Sequence, residues 1–222
     1  MTAGRFITFE GGEGSGKSTQ AEVLAGRLGR LGIEVVLTRE PGGSPFAEAL
    51  RGVILDPDMP EHSALSEALL FYAARADHLD KTIRPALNAG RWVICDRFSD
   101  STRVYQSEAG GLPRGVLDAL EDMVVTPTVP DLTIILDLPA ELGLGRAQGR
   151  RLNAVRDHVE PDAPDAYEKR DLAFHWKLRE AFAAIAKEQP GRCVLINAAT
   201  DPEEVSDAVW DAVAARLLQE AE

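Results

Sequence analysis

Five short runs of the chain are apolar almost without interruption: residues 5–9, 34–38, 92–96, 132–138 and 193–197. None alternates apolar and polar positions in the manner of a strand with one wet face. Each therefore predicts a strand covered on both sides, the pattern of a parallel sheet. Between them, apolar positions recur at helical spacing and predict helices over 18–31, 64–87, 114–123 and 165–187. Asp201 as N-cap and Pro202 in the first turn open a last helix running to about Gln219. Strand and helix alternate throughout, and no internal repeat interrupts them. The expected fold is a doubly wound α/β domain with a five-stranded parallel sheet flanked by helices.

That frame already points to a site. In open parallel sheets, ligands bind beyond the carboxyl ends of the strands, so the segments after each strand are the place to look. After the first run stands Gly11-Gly12-Glu13-Gly14-Ser15-Gly16-Lys17-Ser18-Thr19, a full Walker A match between an apolar strand and a helix. Glycines let backbone N–H groups converge on phosphate oxygens, and the following helix adds its positive end. Lys17 is placed to reach the outer phosphates, and the Ser18 hydroxyl to ligate Mg²⁺.

Composition narrows the class. The 222 residues carry a formal charge of -12, a field that repels nucleic acid, so a bound anion needs a local basic site. Of 24 basic residues, 19 are arginine, and the single lysine of the loop stands out. The two cysteines, Cys95 and Cys193, lie in strand-like runs and read as buried, reduced thiols. No apolar run approaches a membrane span and the N-terminus has no apolar signal segment, which gives a cytoplasmic expectation. The chain lacks the Asn-Lys-x-Asp run of a guanine reader and is too short for a helicase or transporter core. Small phosphotransferases remain.

Candidate acceptor-side residues follow. In 64–86, Leu65, Leu69, Tyr72, Ala76, Leu79 and Ile83 mark one helical stripe, with Phe71 and Arg75 off it and four residues apart. Such a pair suits a nucleobase, stacked by the ring and read by the guanidinium; a second buried face is the plainer alternative. Arg39, at the end of the second run, either grips an anion or is a solvated charge. Asp96 and Arg97 end the third run. They read as a Mg²⁺-side carboxylate with a phosphate-bridging arginine, or as a structural ion pair. After the fourth run comes an arginine-bearing segment, Arg146, Arg150, Arg151 and Arg156, either a catalytic lid or a solvated basic loop.

Taken in order, Phe9 through Thr19, Thr38-Arg39-Glu40-Pro41-Gly42-Gly43, Leu70 through Arg75, Asp96-Arg97-Phe98, Ser101-Thr102, Tyr105-Gln106 and Pro130-Asp131-Leu132 resemble the thymidylate kinases of bacterial type. The resemblance covers most of the chain and weakens after about Arg151. It implies a P-loop nucleoside-monophosphate-kinase-like fold, one domain over residues 1–222 with a lid insert at about 143–164, and a homodimer. It also implies phosphoryl transfer from ATP to dTMP with Mg²⁺, on the route to dTTP. On that basis Phe71 stacks on thymine and Arg75 binds its carbonyl edge, with Ser101, Thr102 and Gln106 nearby. Tyr105 lies under the sugar, Glu13 approaches its 3'-hydroxyl, and Arg39 and Arg97 hold the acceptor phosphate. Lys17, Asp96, Arg97 and Arg150 are the catalytic set, Ser18 and Asp96 the metal side, and Arg146 lies against adenine. With glycine at position 14, the lid supplies the catalytic arginine. The family's lid continues into Asp-Arg-x-Glu, whereas this chain has Asn153-Ala-Val-Arg156-Asp157-His-Val-Glu160. Two rival readings are another small P-loop kinase acting on a hydroxyl acceptor, with Asp96 or Glu40 as base, and a nucleotide-dependent switch.

Overall fold

A computed structural model describes residues 4–156 and 166–218, with the side chains of 154–156 left aside. Five strands, β1 (Phe6–Gly11), β2 (Val35–Arg39), β3 (Trp92–Asp96), β4 (Leu132–Asp137) and β5 (Cys193–Asn197), form one parallel sheet in the order β2-β3-β1-β4-β5. The order reverses beside β1. The loop that follows β1 therefore opens into the crevice between diverging connections, where such folds bind ligands.

Both faces of the sheet are covered, which explains why the strands read as continuous apolar runs. Ile7, Phe9, Ile94, Ile134 and Leu136 pack with Leu24 and Leu28 of α1 (Lys17–Arg30) and Val205, Val209 and Val213 of α9 (Pro202–Val213). On the opposite face Phe6, Val93 and Cys95 meet Tyr72 of α3 (Ala64–His78) and Leu117 of α6 (Arg114–Val124). Ile135 and Cys193 meet Leu178, Phe182 and Ile185 of α8 (Leu172–Glu188). Each such side chain contributes about 1.5–3 kcal/mol through burial. Cys95 and Cys193 are buried free thiols. Among the described residues, no helix is long and apolar enough to cross a membrane.

The predicted strands lie within two residues of those observed; β1 runs on to Gly11, into the glycine loop. The helices differ more. The span predicted over 64–87 is α3, a π-helical stretch at Leu79–Ile83 and the short α4 (Arg84–Asn88). Its buried stripe is Ala68, Tyr72, Arg75, Leu79, Ile83 and Ala86, whereas Leu65 and Leu69 are exposed. Arg75 thus belongs to the inward stripe, a correction to its expected place off it. Burial is tolerated there because Glu40 supplies a counter-charge. Helix α8 starts at Leu172, capped by Asp171, and Tyr167 to Arg170 form a turn before it; Asp165, the expected start, lies outside the described residues. The last helix ends in a π-helical stretch, Ala214–Leu218, and Gln219 lies outside the described residues.

Two helical segments were not expected. Helix α2 (Pro45–Ile54) is capped by Ser44, whose hydroxyl accepts from Ala47 N, and has proline at its first position. The polar stretch α5 (Ser99–Thr102) runs into a π-helical segment, Arg103–Ala109. The expected lid insert begins as helix α7 (Ala140–Arg156); its remainder to 164 lies outside the described residues.

Candidate active site

Two basins open side by side at the carboxyl end of the sheet, and Glu13 lines both. The first is built by the glycine loop. Glu13, Gly14, Gly16, Lys17, Ser18 and Thr19 line it, and Arg150 reaches in from α7. Lys17 Nζ donates to Gly12 O at 2.8 Å, across the loop it would otherwise leave open. Burial, then Arg97, pushes its ammonium down to about 8, against the pull of Glu13, Asp96 and Glu10. Ser18 Oγ donates to Asp96 Oδ2 at 2.5 Å, so two hard oxygen groups stand together beside the loop.

Helix α7 is brought to the loop by a contact only glycine permits. A Cβ on Gly14, already at φ 65°, would lie 2.1 Å from Gly143 O, and one on Gly143 would lie 2.1 Å from Glu13 O. The two backbones therefore touch. About two helical turns later, Arg150 Nη2 stands 3.5 Å from Glu13 Oε1. Arg97 Nη2 stands 3.6 Å from Glu13 Oε2. Burial works against the Glu13 carboxylate, but Lys17, Arg97 and Arg150 together hold it below the usual range.

The second basin is a cavity of about 570 Å³ including its open mouth. Phe71, Tyr105 and Tyr167 supply its aromatic walls, with Phe71 and Tyr167 ring centres 6.3 Å apart and Tyr105 and Tyr167 5.2 Å apart. Its floor is polar. Arg75, 1% exposed, donates Nε to Glu40 Oε2 at 2.8 Å and Nη2 to Thr102 Oγ1 at 2.9 Å. Gln106 donates Nε2 to Glu67 Oε2 at 3.0 Å. That leaves two buried atoms without a partner among the described residues, Arg75 Nη1 and Gln106 Oε1. They are one donor and one acceptor, and buried polar groups are as a rule paired.

Arg97 joins the basins. Its backbone sits at φ 67°, uncommon for a residue with a side chain, and its Nη1 donates to Gly11 O at 3.1 Å and Ser101 Oγ at 3.2 Å. Its guanidinium lies 5.3 Å from the Tyr105 ring centre. Burial opposes its charge, but Tyr105, Glu13 and Asp96 raise its pKa above the ordinary arginine value. The turn is clamped from below by Glu10. That carboxyl, fully buried, accepts from Phe98 N at 2.8 Å and from Ser101 Oγ at 2.5 Å. Burial, then Asp100, pushes it up to about 8.

The structure therefore gathers Glu13, Lys17, Ser18, Arg97 and Arg150 at one mouth, with Asp96 held beside it by Ser18. It gathers Phe71, Arg75, Ser101, Thr102, Tyr105 and Gln106 in the adjoining cavity. Arg39 stands apart: exposed, paired with Glu48 at 3.3 Å, it lines a separate depression with Ser18 and Asp96. Arg146 donates to Ala198 O at 3.1 Å, beside the end of β5, and Arg151 is paired with Glu168. Sequence reading missed Tyr167, Glu10 and the role of Glu40. Tyr167 lies past the expected lid insert, in a span read as the start of a helix. The other two are single carboxylates whose partners lie tens of residues away, a signal no local pattern carries.

The comparisons agree with this geometry. The family model described as thymidylate kinase matches residues 9–209. A thymidylate kinase of Bradyrhizobium sp. (strain ORS 278) is 52% identical over 215 residues, 97% of this chain and 92% of that protein. One of Caulobacter vibrioides (strain ATCC 19089 / CIP 103742 / CB 15) is 49% identical, with 98% of this chain and 99% of that protein covered. The crystal structure of thymidylate kinase from Ehrlichia chaffeensis superposes with a TM-score of 0.74 at 34% identity, over 95% of this chain and 99% of that one. Sequence and fold relatives agree over nearly its full length, and the chain belongs to the thymidylate kinase family.

Proposed function

We infer that the two basins hold the two substrates of one reaction, transfer of the γ-phosphate of ATP to dTMP, giving ADP and dTDP. The observation that carries the division of labour is their junction. A phosphate loop and an aromatic, base-sized cavity open onto a shared carboxylate, Glu13, flanked by Arg97 and Arg150.

The cavity floor supports thymine. Arg75 Nη1 offers a donor and Gln106 Oε1 an acceptor, both buried and unpartnered among the described residues. The 4-carbonyl and N3–H of thymine present the complementary acceptor and donor. Cytosine presents an amino group and a bare ring nitrogen at these positions, and would leave both protein atoms opposed by their own kind. A site built for a polar edge rejects the wrong edge strongly. Phe71 would stack on the base, and Tyr105 would sit under the sugar and crowd a 2'-hydroxyl.

The attacking group is the phosphate of dTMP, largely dianionic at neutral pH because its second pKa is about 6. No side-chain base is then needed. The difficulty is bringing two polyanions into line, and positioning with charge neutralisation is the remedy. Lys17 would hold the outer phosphates of ATP, Arg97 the acceptor phosphate, and Arg150 the charge moving to the bridging oxygen. Arg39 reaches the acceptor phosphate only by leaving Glu48, an exposed pair that contributes about 0–1 kcal/mol. Arg146, at the end of β5, stands on the side where adenine would lie.

The adjacent Ser18 and Asp96 oxygens fit a hard divalent cation that keeps much of its water, and they would hold Mg²⁺. When bound, Mg²⁺ neutralises phosphate charge. A cytoplasmic homodimer completes the reading. The dimer is supported by Phe46 and Val53 on α2 and Leu65 and Leu69 on α3, all exposed on neighbouring helices.

The test is ADP release across dTMP, dUMP, dCMP, dGMP, UMP and AMP with ATP. Release strongest with dTMP is expected, with dCMP and the purines poor. Release independent of any acceptor, or strongest with a monophosphate other than dTMP, would overturn the reading.

A further inference from the structure

An arginine buried as deeply as Arg75 has a fixed aim only if its other donors are fixed. Nε is held by Glu40 and Nη2 by Thr102, so these two residues set where the remaining Nη1 points. Glu40 is in turn held from its other oxygen. His78, 0% exposed, places Nδ1 at 3.0 Å from Glu40 Oε1 and Nε2 at 2.7 Å from Thr38 Oγ1. The hydrogens can be assigned from the partners. A carboxylate facing Arg75 only accepts, so Nδ1 donates to it, and Nε2 pairs with the Thr38 hydroxyl.

The result is a buried relay from the end of β2 through α3: Thr38, His78, Glu40, Arg75. The backbone closes tightly around its first link. A Cβ on Gly43, at φ 83°, would lie 2.2 Å from His78 Nε2 and 2.4 Å from Thr38 Oγ1. His78 itself lines neither basin. Among the described residues, its hydrogen-bonded route to the acceptor cavity runs through the carboxylate that orients Arg75, the arrangement by which outer partners orient the groups that touch a ligand.

We infer that His78, backed by Thr38, is a positioning residue that sets base specificity by fixing the Glu40 carboxylate and so the aim of Arg75. This rests on reading the aromatic cavity as the dTMP site, and it extends that site to two residues that touch no substrate.

The experiment is steady-state kinetics of the full chain with dTMP and with dCMP at saturating ATP, for wild type, His78→Leu, His78→Asn and Thr38→Val. His78→Leu should raise KM for dTMP about tenfold, the scale of one lost charge-assisted hydrogen bond. It should leave kcat within about threefold and KM for ATP unchanged, since the reacting groups are untouched. The dTMP to dCMP ratio of kcat/KM should fall about tenfold, because only the base edge is read less well. His78→Asn puts an amide N–H where Nδ1 stood and should recover most of that ratio. An unchanged ratio in His78→Leu, or no recovery in His78→Asn, overturns the inference. If His78→Leu does not fold, Thr38→Val decides: it keeps the shape, removes the hydroxyl on Nε2, and should lower the ratio about two- to threefold. An unchanged ratio there also overturns it. A wild type without preference for dTMP over dCMP would overturn the site reading and this inference together. An intact preference in the variants overturns the inference alone.

Discussion

Lys17 has few good partners within the protein itself. It is 7% exposed, donates to one backbone carbonyl, and stands near Arg97. Burial and that neighbour bring its pKa down to about 8, so near pH 8 a large share of the side chain is neutral. A triphosphate in the loop adds negative charge within contact distance and raises the pKa again. The bound state then holds more protons than the free state, so binding takes up a proton, and affinity for ATP should fall as pH rises from about 7 to 9. Calorimetric titration of ATP at pH 8, in two buffers of different ionisation enthalpy, should show uptake. Lys17→Arg, charged at every pH in that range, should reduce the buffer dependence to what the Glu10 carboxyl contributes. Equal heats in both buffers for wild type would mean that Lys17 is already fully charged. Residues of this kind were legible in the sequence because the loop dictates them at fixed spacing. Glu40, Arg75 and His78 were not legible as a unit, since the link from 40 to 75 and 78 exists only after β2 and α3 pack.

Helix α7 is the element whose placement matters most for chemistry. Its start is pinned to the phosphate loop by the Gly14 and Gly143 backbones, and Asp137, just before it, takes a two-pronged hydrogen bond from Arg179 of α8 at 2.6 and 2.9 Å. Arg150 is 61% exposed and meets Glu13 only at 3.5 Å, a pairing that adds little to stability. The role proposed for it is in the reaction. Arg150→Ala should lower kcat by about 10²-fold, the scale of one lost donor to transition-state charge, with KM for dTMP within about threefold and the melting temperature unchanged. A rise in KM with kcat intact would make it a dTMP ligand instead. Arg151→Ala should matter less to kcat, because Glu168 already engages that side chain. Elements in general were readable where burial on both faces forced an apolar run, as in all five strands. They were not readable where the site itself supplies the burial. Ser99, Asp100, Ser101 and Thr102 are polar yet buried, because Glu121, Arg192, Glu10 and Arg75 pair with them in turn, and nothing in their composition signals a helix.

Over the whole molecule, α3 carries two loads. Its inward stripe holds Arg75, the proposed reader of the base, and its outward side leaves Leu65 and Leu69 at 42% and 48% exposure beside Phe46 and Val53 of α2. Reading the stripe from hydrophobicity alone assigned those leucines to the core, because a buried face and an interface have the same composition. The distinction appears only when the fold shows Ala68 and Arg75 turned inward instead. Clustered large apolar groups on adjoining helices mark an interface more often than a bare surface. Leu65→Asp with Leu69→Asp should therefore shift the chain from a dimer toward a 24.0 kDa monomer in sedimentation velocity, by placing carboxylates where apolar contact is required. The inward face of α3 is unchanged by these substitutions. If the dimer steadies that helix, KM for dTMP should rise while KM for ATP, set by the glycine loop, holds. A wild type that sediments as a monomer at micromolar concentration, or a double variant that stays dimeric, would place the interface elsewhere.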